Sequence, residues 1–189
     1  MKSILSIIFM LSFSNSICAN ASLHSILVDE YPLFYEIALD TYVHDIIDFI
    51  GDEKNAREAA NQELKELLFQ ELATPDQYIY SIIENENRIG FLWYQIEKDL
   101  NQASLYFLHI DSEFRGKGYA CQALQLLENE CAHKKIGSIW LNVFAQNQTA
   151  FSLYKKAGYA IETIAYMPDS EKIARYEMRK KLIEPSDRF

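Results

Sequence analysis

The sequence predicts a single α/β domain built on one mixed sheet, and three observations carry that expectation. The hydrophobic period switches between helical and alternating along the chain, in the order β-α-α-β-β-β-α-β-α-β-β. The 189 residues amount to one domain, and at 49% hydrophobic and 24% charged they can bury a proper core. No repeat or low-complexity stretch breaks the pattern.

Taken in order, 23–28 reads as a first strand, and Asp29 with Pro32 signals a helix start. Phe34, Ile37, Ala38 and Thr41 then fall at i, i+3, i+4 and i+7 on one helical face. A second helix follows Gly51 and Asp52, with Ala60, Leu64, Leu67 and Leu68 on one side and Thr74-Pro75 as its stop. Residues 78–83 and 89–96 are β-branched and aromatic runs separated by Glu84-Asn85-Glu86-Asn87, a hairpin signature. A polar turn over 97–101 leads to a third strand of the meander, 103–110. Helix 119–134, strand 139–144, helix 149–157 and strands 159–166 and 173–181 complete the pattern, and Gly158 stands where a helix-ending glycine belongs.

The first 21 residues differ from the rest. Lys2 is their only charge, 4–13 is apolar, and polar Ser14-Asn15-Ser16 precedes Ala19-Asn20-Ala21, the layout of a secretory signal peptide with an A-x-A cleavage site. The division expected is 1–21 as signal and 22–189 as domain, with export to periplasm or medium if cleavage occurs and a cytoplasmic location as the alternative. The apolar run is shorter than the roughly 20 residues of a membrane span, so no stable span is expected after cleavage. A formal net charge of −9 argues against a nucleic-acid partner. Beyond Cys18 there are only Cys121 and Cys131, ten residues apart on one predicted helix. That is about 15 Å, too far for a disulfide, and both are expected as small core hydrophobes. No Cys/His spacing suits a metal.

The chemistry concentrates in 105–159. A short apolar strand runs through a basic, glycine-bearing loop into an amphipathic helix, and such a loop gathers backbone N–H groups and a helix N-terminus at one point, a phosphate site. Gly116 and Gly118 open backbone angles closed to other residues and let a ligand approach the main chain. Arg115 and Lys117 raise the local potential, and the helix beginning at Tyr119 adds its dipole. A Walker A loop is absent. A dinucleotide fingerprint would need a small residue where Cys121 sits and an acid after strand 139–144, which ends Val143-Phe144-Ala145.

Arg115-Gly116-Lys117-Gly118-Tyr119-Ala120 satisfies the pattern R-x-x-G-x-A, and Asn147, Ala150, Leu153, Tyr154, Lys156, Gly158 and Tyr159 follow around the later helix. Together they resemble the acyl-carrier and C-terminal motifs of the GNAT superfamily of acetyl-CoA-dependent N-acetyltransferases, and the order of elements over 22–182 is similar to that family's. The resemblance implies a twisted, mostly antiparallel mixed sheet with helices on both faces. It implies acetyl-CoA as co-substrate, no metal, and an amine-bearing acceptor, small molecule or protein. Residues 115–120 would hold the pyrophosphate. The main chain of Leu108 and Ile110, on a strand that splays from its neighbour, would bond the pantetheine arm, as would Asn147, whose plainer role is an N-cap.

Tyr154 is the candidate acid, a phenol able to protonate the departing thiolate. The base is less legible, because the strand before the loop carries no Glu. His109 is the candidate there, with an unperturbed pKa suited to the task, and Tyr106 and Glu113 are weaker ones. Cys121 is a poor candidate for a nucleophile. The resemblance places acceptor choice in the first two helices and two loops, one between those helices at 41–56 and one between the last two strands at 167–172, whose acids Asp45, Asp48, Asp52, Glu53, Asp169 and Glu171 either recruit a cation or are simply solvated. The reading is an N-acetyltransferase acting by direct attack in a ternary complex. The alternative is a GNAT-fold protein that binds CoA or acyl-CoA without turnover.

Overall fold

The computed structural model describes residues 20–182; of the expected signal segment, 1–19 lie outside the described residues. Strand β1 (Ser22–Ser25) leads to helices α1 (Tyr31–Ile50) and α2 (Glu53–Leu67). Strands β2 (Gln77–Glu84), β3 (Asn87–Glu97) and β4 (Gln102–Ile110) form the meander. Helix α3 (Tyr119–His133), β5 (Ser138–Phe144), α4 (Gln148–Lys156), β6 (Ala160–Tyr166) and β7 (Ile173–Lys181) follow. The strands make one seven-stranded sheet in the order β1-β2-β3-β4-β5-β7-β6. Only β4 and β5 run parallel, because α3 must carry the chain back across the sheet between them. This is the α/β architecture the pattern predicted.

Each sheet face has its own core. On one, Phe34, Ala38, Val43 and Ile46 of α1 and Ala56, Ala60 and Leu64 of α2 pack on Ile79, Phe91 and Trp93. Phe34 meets Phe91, Trp93 and Phe107 edge-on, with centroids 5.7, 5.9 and 6.0 Å away. On the other, Ala123, Leu124, Leu127 and Cys131 of α3, with Tyr154 and Tyr159, cover Leu92, Leu105, Ile139 and Leu141. The β2–β3 hairpin closes through Asn85 and Glu86, both at positive φ (46° and 67°), the backbone of a two-residue turn matched to strand twist.

Four boundaries or placements depart from the sequence reading. The first strand stops at Ser25, and Leu27 and Val28 stand exposed before α1 begins. Helix α2 ends at Leu67 rather than at Thr74-Pro75, since the chain already leaves helical angles at Leu68 (φ −113°, ψ 46°), and the left-handed φ of 50° at Glu71 then keeps the coil from resuming. The stretch 41–56 is not a loop: α1 runs to Ile50, only Gly51 and Asp52 connect, and the Asp52 side chain accepts from the Asn55 N–H (2.9 Å) to cap α2. Cys131 is buried, and burial pushes its thiol up to about 12, but Cys121 is exposed, on the side of α3 away from the buried stripe.

Candidate active site

The sheet opens where the site lies. The β4–β5 ladder pairs Gln102 with Ser138 and continues to Leu105 with Leu141, where it stops. Beyond it, β4 pairs only with β3. A bulge lies opposite Trp93 and Tyr94, where Tyr106 is the extra residue between Phe107 and Leu105. The Asp111 N–H bonds the Ile89 carbonyl (2.9 Å), so antiparallel alternation turns the main chain of His109 and Phe107 toward β3. Leu108 and Ile110 therefore turn theirs toward the gap. Arg115 occupies part of that row: its Nε donates to the Ile110 carbonyl (2.8 Å), tying the loop to the end of the strand.

The loop itself has the geometry that its glycines foreshadow. Gly116 and Gly118 take φ of 74° and 89°. Nothing lies within 4 Å of the point where a Gly116 Cβ would stand. Gly118 is the N-cap of α3 and provides no side-chain cap, so the first N–H groups of the helix, at Tyr119 and Ala120, have no capping side chain. Lys117 places its Nζ 5.3 Å from the centre of the Phe114 ring, at the loop's edge. Asn147 caps α4, its Oδ1 accepting from the Ala150 N–H (3.1 Å), the plainer of its two expected roles.

Tyr154 is buried, 8% exposed, with its ring 5.7 Å from that of Tyr159. Burial, and then the charge of Asp45, push its phenol well above the ordinary value. Its hydroxyl has no hydrogen-bond partner among the described residues. Tyr154 thus feels the charge of a residue that the sequence left among the acceptor-side acids. Asp45 lies partly buried on α1, and its carbonyl accepts the Gln146 side-chain amide (2.8 Å) in the turn leading to α4. Burial raises the Asp45 carboxyl to about 6, against a weaker opposing pull from His44.

His109 sits elsewhere. Its ring lies over that of Phe107 (5.8 Å, 12° between planes), and its Nε2 is 3.4 Å from Asp111 Oδ1. Asp111 in turn pairs with Arg88 (3.0 Å). Burial lowers the His109 pKa, and Arg115 and Arg88 lower it further against the pull of Asp111. Tyr106 donates to Gln95 (2.9 Å), and Glu113 is exposed in the short turn after β4. Beside them on the α1–α2 side, Tyr42 donates to Glu63. Among the described residues, no three His, Cys, Asp or Glu side chains converge to hold a metal, and no helix is long and apolar enough to cross a membrane.

A family model described as the Acetyltransferase (GNAT) family matches residues 22–159. This chain belongs to the GNAT acetyltransferase family. Among relatives, the GNAT chain is 37% identical over 109 residues to the uncharacterized N-acetyltransferase YycN of Bacillus subtilis, covering 56% of its own length and 70% of the relative's. It is 33% identical over 93 residues to the ribosomal protein bS18-alanine N-acetyltransferase of Haemophilus ducreyi, 47% and 63% of the two chains. The crystal structure of YycN superposes with a TM-score of 0.74 at 28% identity, over 80% of this GNAT chain and 98% of the other. A spermidine N-acetyltransferase from Vibrio cholerae, in complex with CoA and spermine, shares the fold at a TM-score of 0.65 and 17% identity, over 86% and 95%. The GNAT fold and the acyltransferase class read from the sequence both stand.

Proposed function

We propose that this GNAT protein moves an acetyl group from acetyl-CoA to a primary amine by direct attack in a ternary complex. One observation carries the reading. Past Leu105 the β4–β5 ladder is open, and the row of backbone groups it exposes leads to the start of α3, which has no side-chain cap. A pantetheine arm fits beside the main chain of Leu108 and Ile110, and the empty surroundings of Gly116 leave room for a pyrophosphate against the α3 N–H groups. Bound acetyl-CoA would supply the thioester that the amine attacks. The chain's own part is to hold a protonated phenol, Tyr154, beside the leaving sulfur, and burial keeps that phenol neutral across the working pH range. Relatives named for alanine and spermidine acetylation support an amine acceptor.

Calorimetric titration of the full chain with acetyl-CoA and with CoA tests the site, alongside Gly118→Glu. Binding by the parent and a loss of about tenfold or more in the variant are expected, because a carboxylate would stand where the pyrophosphate binds. A folded parent that binds neither ligand overturns the reading. With spermidine or an alanyl peptide as acceptor, Tyr154→Phe is expected to lose about a hundredfold in rate and keep its acetyl-CoA affinity. A binding protein without turnover would hold acetyl-CoA and consume none with either amine.

A further inference from the structure

Other partly buried acids among the described residues have partners. Asp111 pairs with Arg88 (3.0 Å), Glu128 with Lys180 (2.7 Å) and Asp76 with Lys98 (2.6 Å). Glu130 accepts from the hydroxyls of Tyr80 (2.6 Å) and Tyr94 (2.8 Å) and meets Lys134. Asp45 is different: among the described residues, no hydrogen-bond donor or cation reaches its carboxylate. Such an acid is costly unless something brings a cation to it.

Its position shows where that cation would come from. Tyr42, Asp45 and Phe49 fall at i, i+3 and i+7, so they share one face of α1. The two rings on either side both rest on Phe144, with centroids 6.4 and 5.6 Å away. Phe144 is the last residue of β5, three residues beyond the point where β5 parts from β4. The Gln146 amide then fastens the β5–α4 turn to the Asp45 carbonyl. Asp45 is thereby held over the open end of the sheet from one face, while Tyr154 reaches the same region from α4 on the other.

We propose that Asp45 accepts the proton of the acceptor's ammonium, so that the base of this transferase stands on α1, opposite the acid Tyr154, and not on β4. This rests on the transferase reading above. In the step, R–NH3+ gives one proton to the Asp45 carboxylate, and the freed nitrogen lone pair forms the C–N bond to the thioester carbon. The C–S bond then breaks, and its electron pair leaves with sulfur, which takes the Tyr154 proton. The nitrogen's second proton restores the phenol, and Asp45 releases its proton to water. The products are an amide, a thiol and one proton.

The charges around Asp45 suit this role. His44 on its own helix is exposed; Tyr154 of α4 feels the Asp45 charge; its neighbour Tyr42 donates to Glu63 of α2 and lies in the field of Arg175 of β7. A carboxyl held at about 6 is ionised at neutral pH yet basic enough to take a proton. His109 lacks this advantage, because Arg88 and Arg115 beside it repel a cation.

The experiment compares the parent full-length chain with Asp45→Asn and Asp45→Glu, using acetyl-CoA with spermidine and with an alanyl peptide, and follows kcat/KM from pH 5 to 9. For the parent, an acid limb near pH 6 is expected. Asp45→Asn is expected to lose that limb and about a hundredfold or more of kcat/KM, with unchanged acetyl-CoA affinity, and Asp45→Glu to recover part of the rate. An Asp45→Asn enzyme within about threefold of the parent, with the same limb, overturns the proposal and leaves the transferase reading intact. A parent that acetylates neither amine overturns both. Carbon NMR of labelled Asp carboxyls gives an answer independent of turnover: an Asp45 that titrates in the ordinary carboxylate range rules out the role.

Discussion

A half-buried carboxylate without a cation costs the fold something, and Asp45 makes that cost measurable. Its folded-state pKa of about 6 lies above the ordinary carboxylate value, so between the two the native chain binds more protons than the unfolded one. Stability therefore falls as pH rises through that window and stays lower above it. Asp45→Asn removes the penalty: it is expected to stabilise the protein by about 1–3 kcal/mol at pH 7 and by much less near pH 4. Thermal melts of parent and variant at the two pH values check this, and an equal effect at both would remove burial as the cause. A residue that weakens the fold while serving the chemistry is a familiar trade-off at active sites. Such a role is invisible in the sequence, where Asp45 is one acid among several on 41–56; its burial is created by Phe144 and Gln146, about a hundred residues downstream. The shape of the loop at Gly116 and Gly118 was legible because only glycine takes its backbone angles cheaply, a constraint written into the residue type itself. Cys121 was misplaced for the opposite reason: residue type says small and apolar, but the buried stripe of α3 runs through Tyr119, Ala123, Leu124, Leu127 and Cys131.

At the scale of elements, the site depends on how β4 is held. On its β3 side the strands approach so closely at Gly90 that an added Cβ would lie 2.0 Å from the His109 carbonyl oxygen. Neither backbone can yield without breaking the ladder that presents Leu108 and Ile110 to the gap. Gly90→Ala is expected to destabilise the protein by at least about 2 kcal/mol and to weaken acetyl-CoA binding, as read by denaturant titration and calorimetry. An unchanged midpoint would show that the strands separate freely there. The strands themselves were legible because β-branched and aromatic runs alternate so regularly from β2 to β4. Their ends were not. Leu27 and Val28 continue the apolar run and Val28 has high β-propensity, but the chain turns into α1 before they can bury a face, and they remain 62% and 81% exposed. The splay between β4 and β5 has no signal of its own in either strand, and its position came only through the family resemblance.

On the scale of the whole molecule, the sheet acts as a wall that opens between β4 and β5, and the proposed proton-transfer groups belong to elements packed on its opposite faces. That arrangement requires the edges of the wall to be held, and one hold lies at the start of the described chain. Ala21 is 7% exposed and belongs to the core that includes Ile82 and Leu124. Its N–H donates to Gln122 Oε1 (2.9 Å) and its carbonyl accepts from Gln122 Nε2 (3.4 Å), a two-way clasp between the segment before β1 and helix α3. Cleavage at the A-x-A site would leave Ser22 as the first residue and remove both bonds with the buried methyl group. A chain starting at Ser22 is expected to be less stable than one that keeps Asn20 and Ala21, by about 1–3 kcal/mol, and Gln122→Ala in the longer chain should reproduce part of that loss. Because Gln122 lies in the first turns of α3, four residues after Gly118, the loosened clasp should also weaken acetyl-CoA binding in the shorter chain. Equal melting temperatures and affinities for the two chains would show that the segment before β1 has no part in holding α3 against the sheet.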